Sequence, residues 1–294
     1  MRLASFACLL ALAGCPSRSS GQDASASADA HADAHADAHA DADAGAGAGV
    51  GASERADADA PADAATVISC PPEMVPIEAF CIDRYEAYVV ELDARGREHP
   101  HSPLSPVDDL TVRAKVAAGV LPQGYISQRQ SAKACENASK RLCTREEFER
   151  ACRGPDPSND YPYGGTERHA GSCNEGKGSS VAKFFGPDFS RRTYAEFNDP
   201  RLSSWPGGLA KTGAYTRCVS PDGVFDLVGN LHEWGSDPPD ERGRARFRGG
   251  FYGDAEVNGH GCAYVTKAHE PTYHDYSTGF RCCMDGRAAS IGQP

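Results

Sequence analysis

Apolar positions recur with helical spacing in one stretch of the chain, residues 125–154, which reads YISQRQSAKACENASKRLCTREEFERACRG. Ser127 is followed three residues later by Gln130, and Thr144 is followed in the same way by Glu147. This pattern is typical of a capping box, in which each of the two side chains binds the backbone N–H of the other residue. The stretch therefore predicts two helices, each beginning directly after its hydroxyl residue.

The second predicted helix carries Phe148, Ala151 and Cys152 at positions one, three or four residues apart. Residues spaced in this way share one face of an α-helix, so we expect this face to pack inward. A break at residues 139–143 separates the two helices.

Strands are expected to be short, because Gly, Pro, Asn and Asp recur every few residues outside the helices. The clearest candidates are residues 80–92, FCIDRYEAYVVEL, and residues 245–252, ARFRGGFY. Helices combined with short, irregular antiparallel strands predict an α+β domain that contains much loop.

An apolar run at residues 3–12 follows a single basic residue at the start of the chain. A run of this length is too short to span a bilayer and is typical of an export signal. It leads into residues 12–15, LAGC, which resemble the lipobox of bacterial lipoproteins. The resemblance implies a signal at residues 1–15 and a lipid on Cys15. An ordinary secretory signal cleaved near Cys15 is the alternative.

Residues 16–68 are almost entirely small or polar and include the repeat HADAHADAHADADA. This composition cannot bury enough apolar surface to offset its conformational entropy, so it predicts a disordered tether. Residues 22–66 hold nine Asp and one Glu against one Arg, and their mutual repulsion extends the tether. His31, His35 and His39 would suit a metal if the segment turned helical, but we favour a solvated repeat.

The remaining chain, residues 69–288, is long enough for one domain with its own core, and residues 289–294 form a tail. Basic and aromatic residues are not clustered in the way that suits nucleic acid. The sequence predicts an extracytoplasmic protein that meets the membrane through its lipid only. Because Pro16 follows Cys15 in place of an inner-membrane retention Asp, we expect the outer membrane, with the protein facing the periplasm or the cell surface.

Ten of the twelve cysteines remain in the predicted domain once Cys8 and Cys15 are set aside. They are Cys70, Cys81, Cys135, Cys143, Cys152, Cys173, Cys218, Cys262, Cys282 and Cys283. An even number in an oxidising compartment predicts five disulfide bonds. Structural zinc is not expected, because the chain has no Cys-x-x-Cys pair and only His260 lies close to a cysteine.

Residues 248–262, RGGFYGDAEVNGHGC, form the most glycine-rich segment of the predicted domain that also carries charged and aromatic residues. Glycines at this density allow tight turns and close approach of the backbone to a neighbour. Loops of this kind often line a functional site.

Several blocks of the domain occur in the order found in one protein family. They are residues 125–155, YPYG at 161–164, DLVGNLHEWGSD at 226–237, FRGGFY at 247–252 and GFRCC at 279–283. Together they resemble the formylglycine-generating enzyme, or sulfatase-modifying factor, family. The resemblance implies a compact, irregular α+β fold similar to C-type lectin-like domains.

The resemblance also implies calcium, bound by the side chains of Asp226 and Glu233 and by the backbone carbonyls of Gly229 and Leu231. A hard cation prefers oxygen ligands, and a turn that contains glycine lets them converge. The family usually has Asn at position 226, and the additional carboxylate here should tighten binding. A calcium-free capped turn with Trp234 in the core is the alternative.

Asn174 and the backbone of Glu175 match part of a second calcium site in the family. The other ligands of this site are not assigned, because residues 176–205 do not align well with the family.

By position, the resemblance implies disulfide bonds between Cys135 and Cys282 and between Cys152 and Cys262. We expect Cys70 and Cys81 to close a local loop. The pairing of the other four cysteines of the domain stays open.

In active members of the family, two cysteines bind copper and activate oxygen at positions six and eleven residues after the equivalent of Arg248. Here these positions hold Asp254 and Gly259. Neither can replace the polarizable thiolates that copper(I) prefers, and Cys262 is assigned to a disulfide bond. We therefore expect no copper and no oxidation of sulfatase cysteines.

Two classes of function remain. The first is a non-catalytic, calcium-stabilised module that binds a peptide, glycan or protein in the family's cleft. Its candidate binding residues are Arg248, Tyr252, Asp254, Glu256, Asn258, His260 and Tyr264. The second is a divergent oxidoreductase with a metal held by histidine and carboxylate. Its candidate ligands are His232, His260, His269, His274, Asp254, Glu256, Glu270 and Asp275. We favour the first.

Overall fold

A computed structural model describes residues 68–288 of the chain. The predicted signal, Cys15, the histidine repeat and the tail lie outside these residues, as does the tether except for Ile68, which begins the first strand. Within the described part, no helix has both the length and the apolar character needed to cross a bilayer.

Both helices expected from the capping boxes are present, as α1 (Gln128–Asn137) and α2 (Arg145–Arg153). Each begins with the reciprocal side-chain bonds of a capping box, at Ser127 and at Thr144. Phe148, Ala151 and Cys152 are buried, which confirms the predicted inner face of α2. Shorter helices follow at α3 (Ser180–Phe185), α4 (Tyr194–Phe197) and α5 (Arg201–Ser204), with 3₁₀ turns at Phe189–Arg191 and Gly261–Ala263.

The strands of the described residues are short, as expected. They are β1 (Ile68–Ser69), β2 (Met74–Ile77), β3 (Phe80–Asp83), β4 (Tyr88–Leu92), β5 (Glu98–Pro100), β6 (Val112–Lys115), β7 (Arg141–Leu142), β8 (His232–Trp234), β9 (Ala245–Arg248), β10 (Val265–His269), β11 (Thr278–Gly279), β12 (Cys282–Asp285) and β13 (Arg287–Ala288). The predicted strand at 80–92 is divided into β3 and β4, and the one at 245–252 ends at Arg248, before the glycine pair.

These strands form four small sheets within residues 68–288, in the orders β1-β13, β2-β3-β12-β7, β5-β4-β6 and β10-β9-β8-β11. Every strand pair is antiparallel except β11 with β8, which is parallel. The combination of short helices, small sheets and long connections confirms an irregular, loop-rich α+β fold.

All ten cysteines of the domain form disulfide bonds. The three expected pairs, Cys70–Cys81, Cys135–Cys282 and Cys152–Cys262, are present. The pairing left open by the sequence is Cys143–Cys283 and Cys173–Cys218. Since Cys282 and Cys283 are adjacent in β12, this strand is tied both to α1 and to the start of α2.

Candidate functional site

The glycine pair after β9 brings the loop at residues 249–264 against the core. Gly249 has a φ of 79°, and a Cβ atom there would lie 2.6 Å from the carbonyl oxygen of Leu227. Only glycine fits such a close backbone approach without displacing its neighbour. The turn therefore fixes where the rest of the loop begins.

Three of the candidate binding residues are buried and have structural partners. Arg248 is 4% exposed, and its guanidinium contacts the carboxylate of Asp237 at 3.0 Å. Tyr252 is fully buried, and its hydroxyl donates a hydrogen bond to the carbonyl of Leu202. Tyr264 is 3% exposed. These three candidate binding side chains are therefore buried and have partners within the protein, so they are not accessible to a ligand in this structure.

Asp254 holds the loop in shape. One of its carboxylate oxygens accepts hydrogen bonds from the backbone N–H groups of Glu256 at 3.0 Å and Val257 at 3.3 Å. The other accepts a bond of 3.0 Å from the hydroxyl of Tyr264. The carboxylate therefore closes a turn at the first position where active family members carry a cysteine.

The second of these positions, Gly259, is also structural. Its φ is 110°, and a Cβ atom would lie 2.8 Å from the carbonyl oxygen of Ala263. A side chain at this position would clash with the backbone of Ala263. In addition, any residue other than glycine would be strained at this φ angle. Asn258, beside it, donates hydrogen bonds to the hydroxyls of Tyr264 and Thr266.

The outer surface of the loop carries a short chain of polar contacts. Glu256 accepts a hydrogen bond of 2.7 Å from the hydroxyl of Tyr161, and its other oxygen lies 2.7 Å from Nδ1 of His260. This hydrogen bond and the negative charge of Glu256 raise the pKa of His260. The rings of Tyr161, Tyr163 and His169 are stacked beside it at 5.1–5.2 Å.

Several exposed or half-buried side chains of this region are linked by these contacts or are neighbours in the loop. We call this set the His260 face and define it by Tyr163, His169, Glu256, Val257 and His260. Val257 is 49% exposed and is one of the few large apolar residues of the described chain that face solvent. Of the seven candidate binding residues, Glu256 and His260 belong to this face, and Glu256 is half-buried, as are Asp254 and Asn258, whose side chains form hydrogen bonds within the loop and to β10.

Three buried carboxylates and one guanidinium meet where the calcium ligands were expected. Asp226, Glu233 and Glu86 are 4%, 3% and 0% exposed, and Arg281 is 1% exposed. Arg281 donates from Nε and Nη2 to the two oxygens of Glu233, each at 2.6 Å. Burial raises the pKa of all three carboxyl groups, that of Asp226 to about 6. One positive charge therefore faces three groups that would each be negative in water.

Glu86 was not among the predicted site residues. It accepts hydrogen bonds from the side chain of Asn230 and, at 3.0 Å, from the backbone N–H of Leu231. Glu86 therefore contacts the DLVGN turn directly, although 140 residues separate them along the chain. The only sequence signal was the presence of Glu86 in the strand-like segment FCIDRYEAY. The strand pattern alone does not show whether this side chain faces solvent or the core.

Asn174 is placed next to the same turn. Its amide nitrogen donates to the carbonyl of Gly208 at 3.0 Å and to the side chain of Asn230 at 2.8 Å. Its side-chain oxygen is buried and has no hydrogen-bond partner in the described structure. The carboxylate of Glu175 is engaged by Arg168 at 2.6 Å, so only its backbone is available in the way the family resemblance implies.

The histidines of the C-terminal third do not converge on one point. The ring of His269 stacks on Tyr273 at 3.8 Å, and Nδ1 of His274 lies 2.8 Å from the side chain of Asn198. His232 is buried against aromatic rings. Within residues 68–288, the one group of three His, Cys or acidic side chains whose ligand atoms all lie within 4.8 Å of one another is Cys143, Glu147 and Cys283, and its two sulfurs form a disulfide bond.

Comparison with known proteins identifies the family of this domain. The model of the sulfatase-modifying factor enzyme 1-like domain matches residues 45–286, which is most of the chain, and the chain belongs to this family. No curated protein matches the sequence.

Matches to solved structures are distant. The Major Tropism Determinant U1 variant is 16% identical with a TM-score of 0.41, over 76% of this chain and 55% of the other. The chain thus spans little more than half the length of that protein. PvdO from Pseudomonas aeruginosa is 16% identical with a TM-score of 0.40, over 71% and 80% of the two chains. CarF is 17% identical with a TM-score of 0.42, over 70% and 86%.

The pairing of His260 with Glu256 gives a pH-dependent prediction. Because Glu256 raises the pKa of His260, the pair stabilises the fold below about pH 6.5, and this contribution is lost as pH rises through the raised pKa. The substitution Glu256→Gln should lower the pKa of His260 toward its ordinary value, as measured by NMR titration of the imidazole protons. The stability change should stay below about 1 kcal/mol, because the pair is exposed.

Glu146→Gln, an exposed change in α2, serves as the matched control and should leave the titration of His260 unchanged. An unaltered pKa in Glu256→Gln would contradict the contact.

Proposed function

We propose that this protein is a non-catalytic binding module of the sulfatase-modifying factor family, held at the outer side of a bacterial membrane by a lipid on Cys15. The observation that carries the proposal is the structural use of the two positions where active members hold copper. Asp254 closes a turn and Gly259 lies against backbone, so neither can bind copper(I) as a thiolate does. The ten cysteines of the described domain are also all engaged in disulfide bonds.

The His260 face, which joins the outer residues of this loop to Tyr163 and His169, is the surface that would meet a partner. It combines a stacked aromatic set, an exposed apolar residue and the hydrogen-bonded pair of His260 and Glu256. Aromatic and apolar groups beside a few polar ones are typical of surfaces that bind peptides, glycans or proteins. A cleft reached by Tyr252 or Arg248 is not part of this proposal, because both side chains are buried.

Calcium fits the buried carboxylate cluster as a structural ion. Asp226 and Glu233 would bind it by their side chains and Gly229 and Leu231 by their carbonyl oxygens, and a divalent cation would balance the surplus of buried negative charge. The unpaired side-chain oxygen of Asn174 fits a second ion in the same way. The positive charge of the ion would stabilise the DLVGN turn by attracting these oxygen ligands.

The anchor is tested through Cys15. In the full chain expressed in a Gram-negative host, the wild type should fractionate with membranes and carry an acylated N-terminal cysteine detectable by mass spectrometry. Cys15→Ser should abolish acylation and release the protein from the membrane fraction. Acylation that persists in Cys15→Ser, or a wild-type protein that is cleaved and soluble, would contradict the lipid anchor.

Calcium is tested by removal. Chelation should lower the Tm, and added calcium should restore it, because the ion binds only the folded protein. Asp226→Asn removes one negative charge from the cluster. It should raise the Tm of the calcium-free protein by relieving repulsion and weaken calcium affinity by roughly tenfold.

The matched control for the calcium test is Asp222→Asn, a carboxylate outside the cluster that pairs with Arg150. It should leave both the affinity and the response to chelation unchanged. Equal Tm values with and without calcium would show that the capped turn is stable alone.

Catalytic inactivity is tested with a peptide that carries the sulfatase cysteine motif. The purified protein, supplied with copper, a thiol reductant and oxygen, should produce no formylglycine by mass spectrometry, whereas an active family member does so in parallel. The protein should also retain no stoichiometric copper after dialysis, because the thiolate pair is missing. Detection of the aldehyde, or of tightly bound copper, would overturn the non-catalytic assignment.

A further inference from the structure

A cavity lies next to the DLVGN turn at residues 226–230 and shares no lining residue with the His260 face. Its volume is about 460 Å³, which is in the range of small-molecule sites. Two loops form its walls, at residues 117–120 and 211–216, and the rings of Tyr85 and Phe225 form its floor. The family resemblance assigned no role to either loop.

The floor of this cavity is a fixed aromatic surface. The rings of Tyr85 and Phe225 are stacked with centroids 5.1 Å apart and planes inclined by 24°. Phe225 is held by a backbone hydrogen bond of 2.9 Å from its N–H to the carbonyl of Arg84. Because the rings are stacked, each covers part of one face of the other, and both side chains are half-buried, so a ligand ring would lie against the surface that the pair leaves open.

The walls are joined to each other and to the carboxylate cluster. The hydroxyl of Thr212 donates to the carbonyl of Ala117 at 2.7 Å, and the backbone of Thr212 bonds to Val120 and Gly119 at 2.8 and 3.0 Å. The N–H of Gly213 donates to the carboxylate of Asp226 at 2.7 Å. The cavity is therefore preformed, and its shape depends on the cluster behind it.

Gly213 also sets the position of the floor. Its φ is 70°, and a Cβ atom there would lie 2.9 Å from the ring of Tyr85. The loop backbone consequently packs against the Cδ1–Cε1 edge of the Tyr85 ring, while Phe225 stacks on one face of that ring.

Three polar side-chain groups around the cavity have no hydrogen-bond or ion-pair partner among residues 68–288. They are the ammonium of Lys211 and the hydroxyls of Tyr85 and Thr216. Most of the other cations in the described chain are paired with a carboxylate, as in Arg150 with Asp222. These three groups are therefore available to form hydrogen bonds with a ligand that lies against the aromatic floor.

We propose that this cavity binds an acidic sugar residue, a hexuronate of an anionic glycan. A pyranose ring has one apolar face, which suits the Tyr85–Phe225 floor, and hydroxyl groups around its edge, which suit the hydroxyls of Tyr85 and Thr216. Its carboxylate forms a charge-assisted hydrogen bond with Lys211. A simple aromatic acid would use the floor and Lys211 but would leave the two hydroxyls without a partner. The inference goes beyond the proposed function and does not depend on the His260 face.

The proposal is tested by ligand-observed saturation-transfer NMR with the purified chain in calcium, using digalacturonate as the probe. The probe should bind with a Kd on the order of 1 mM, and saturation should be strongest on the protons of one ring face. Neutral digalactose should bind at least tenfold more weakly, because it lacks the charge for Lys211.

Variants locate the site. Lys211→Met changes an exposed side chain, preserves the fold and should weaken digalacturonate binding about tenfold. Tyr85→Leu should abolish the signal, and Thr216→Val should weaken binding about threefold. Lys133→Met, an equally exposed change on α1, is the matched control and should have no effect.

Several results would overturn the proposal. They are no saturation at about 10 mM probe, equal binding of digalactose, or phenylacetate binding as tightly as digalacturonate with the same dependence on Lys211. Unchanged binding in Lys211→Met would place the sugar elsewhere. Failure here would leave the tests of the lipid anchor and of catalytic inactivity unaffected, because those tests use other residues.

Discussion

The buried guanidinium of Arg281 is the interaction on which the rest of the domain depends. It binds both oxygens of Glu233 in β8 and also donates to the carbonyls of Asp83 in β3 and Phe225 before the DLVGN turn. Three segments that are distant in sequence are thus held by one planar group. A buried ion pair adds little net stability, but removal of one partner costs about 3–5 kcal/mol because the other charge is left alone. The two disulfide bonds that follow Arg281, through Cys282 and Cys283, hold the group in place covalently.

The carboxylate cluster links this centre to the two surfaces that we consider functional. The carboxylate of Asp226 accepts a hydrogen bond from the N–H of Gly213 in the wall of the cavity. In the same turn, the side chain of Asn230 accepts a hydrogen bond from the side chain of Asn174 and donates one to Glu86. The backbone of Asn230 accepts the N–H of Tyr252 from the loop behind the His260 face. A cation bound there, as we propose, would therefore affect both surfaces, because both are hydrogen-bonded to the same turn.

The sequence was sufficient for features that depend on local chemistry. Both capping boxes, the inner face of α2 and the pairing of Cys70 with Cys81 follow from residues close together in the chain. The family resemblance added the long-range bridges, such as Cys152 with Cys262. The α+β class followed from the spacing of helical and strand signals, which the structure confirms.

Sequence reasoning failed where the direction of a side chain decides its role. Tyr252 follows a glycine pair, and the conformation of such a turn is set by contacts with distant backbone, so its burial could not be read from spacing. Asp254 was considered as a ligand-binding group, whereas its oxygens are used within the loop. Glu86 and the Tyr85–Phe225 floor were missed because their partners lie about 140 residues away.

The first strand of the domain would have a mechanical consequence for the lipid anchor that we propose. β1 contributes only the pairs Ile68 with Ala288 and Ser69 with Arg287, and the next residue, Cys70, is bonded to Cys81 inside a four-stranded sheet. A force applied through the preceding segment would separate this short strand from β13. The Cys70–Cys81 disulfide bond would then bear the force, because it is covalent. In the anchored protein that we propose, such a force would be transmitted through this bond to β3, an inner strand of that sheet, and would not act first on the functional surfaces.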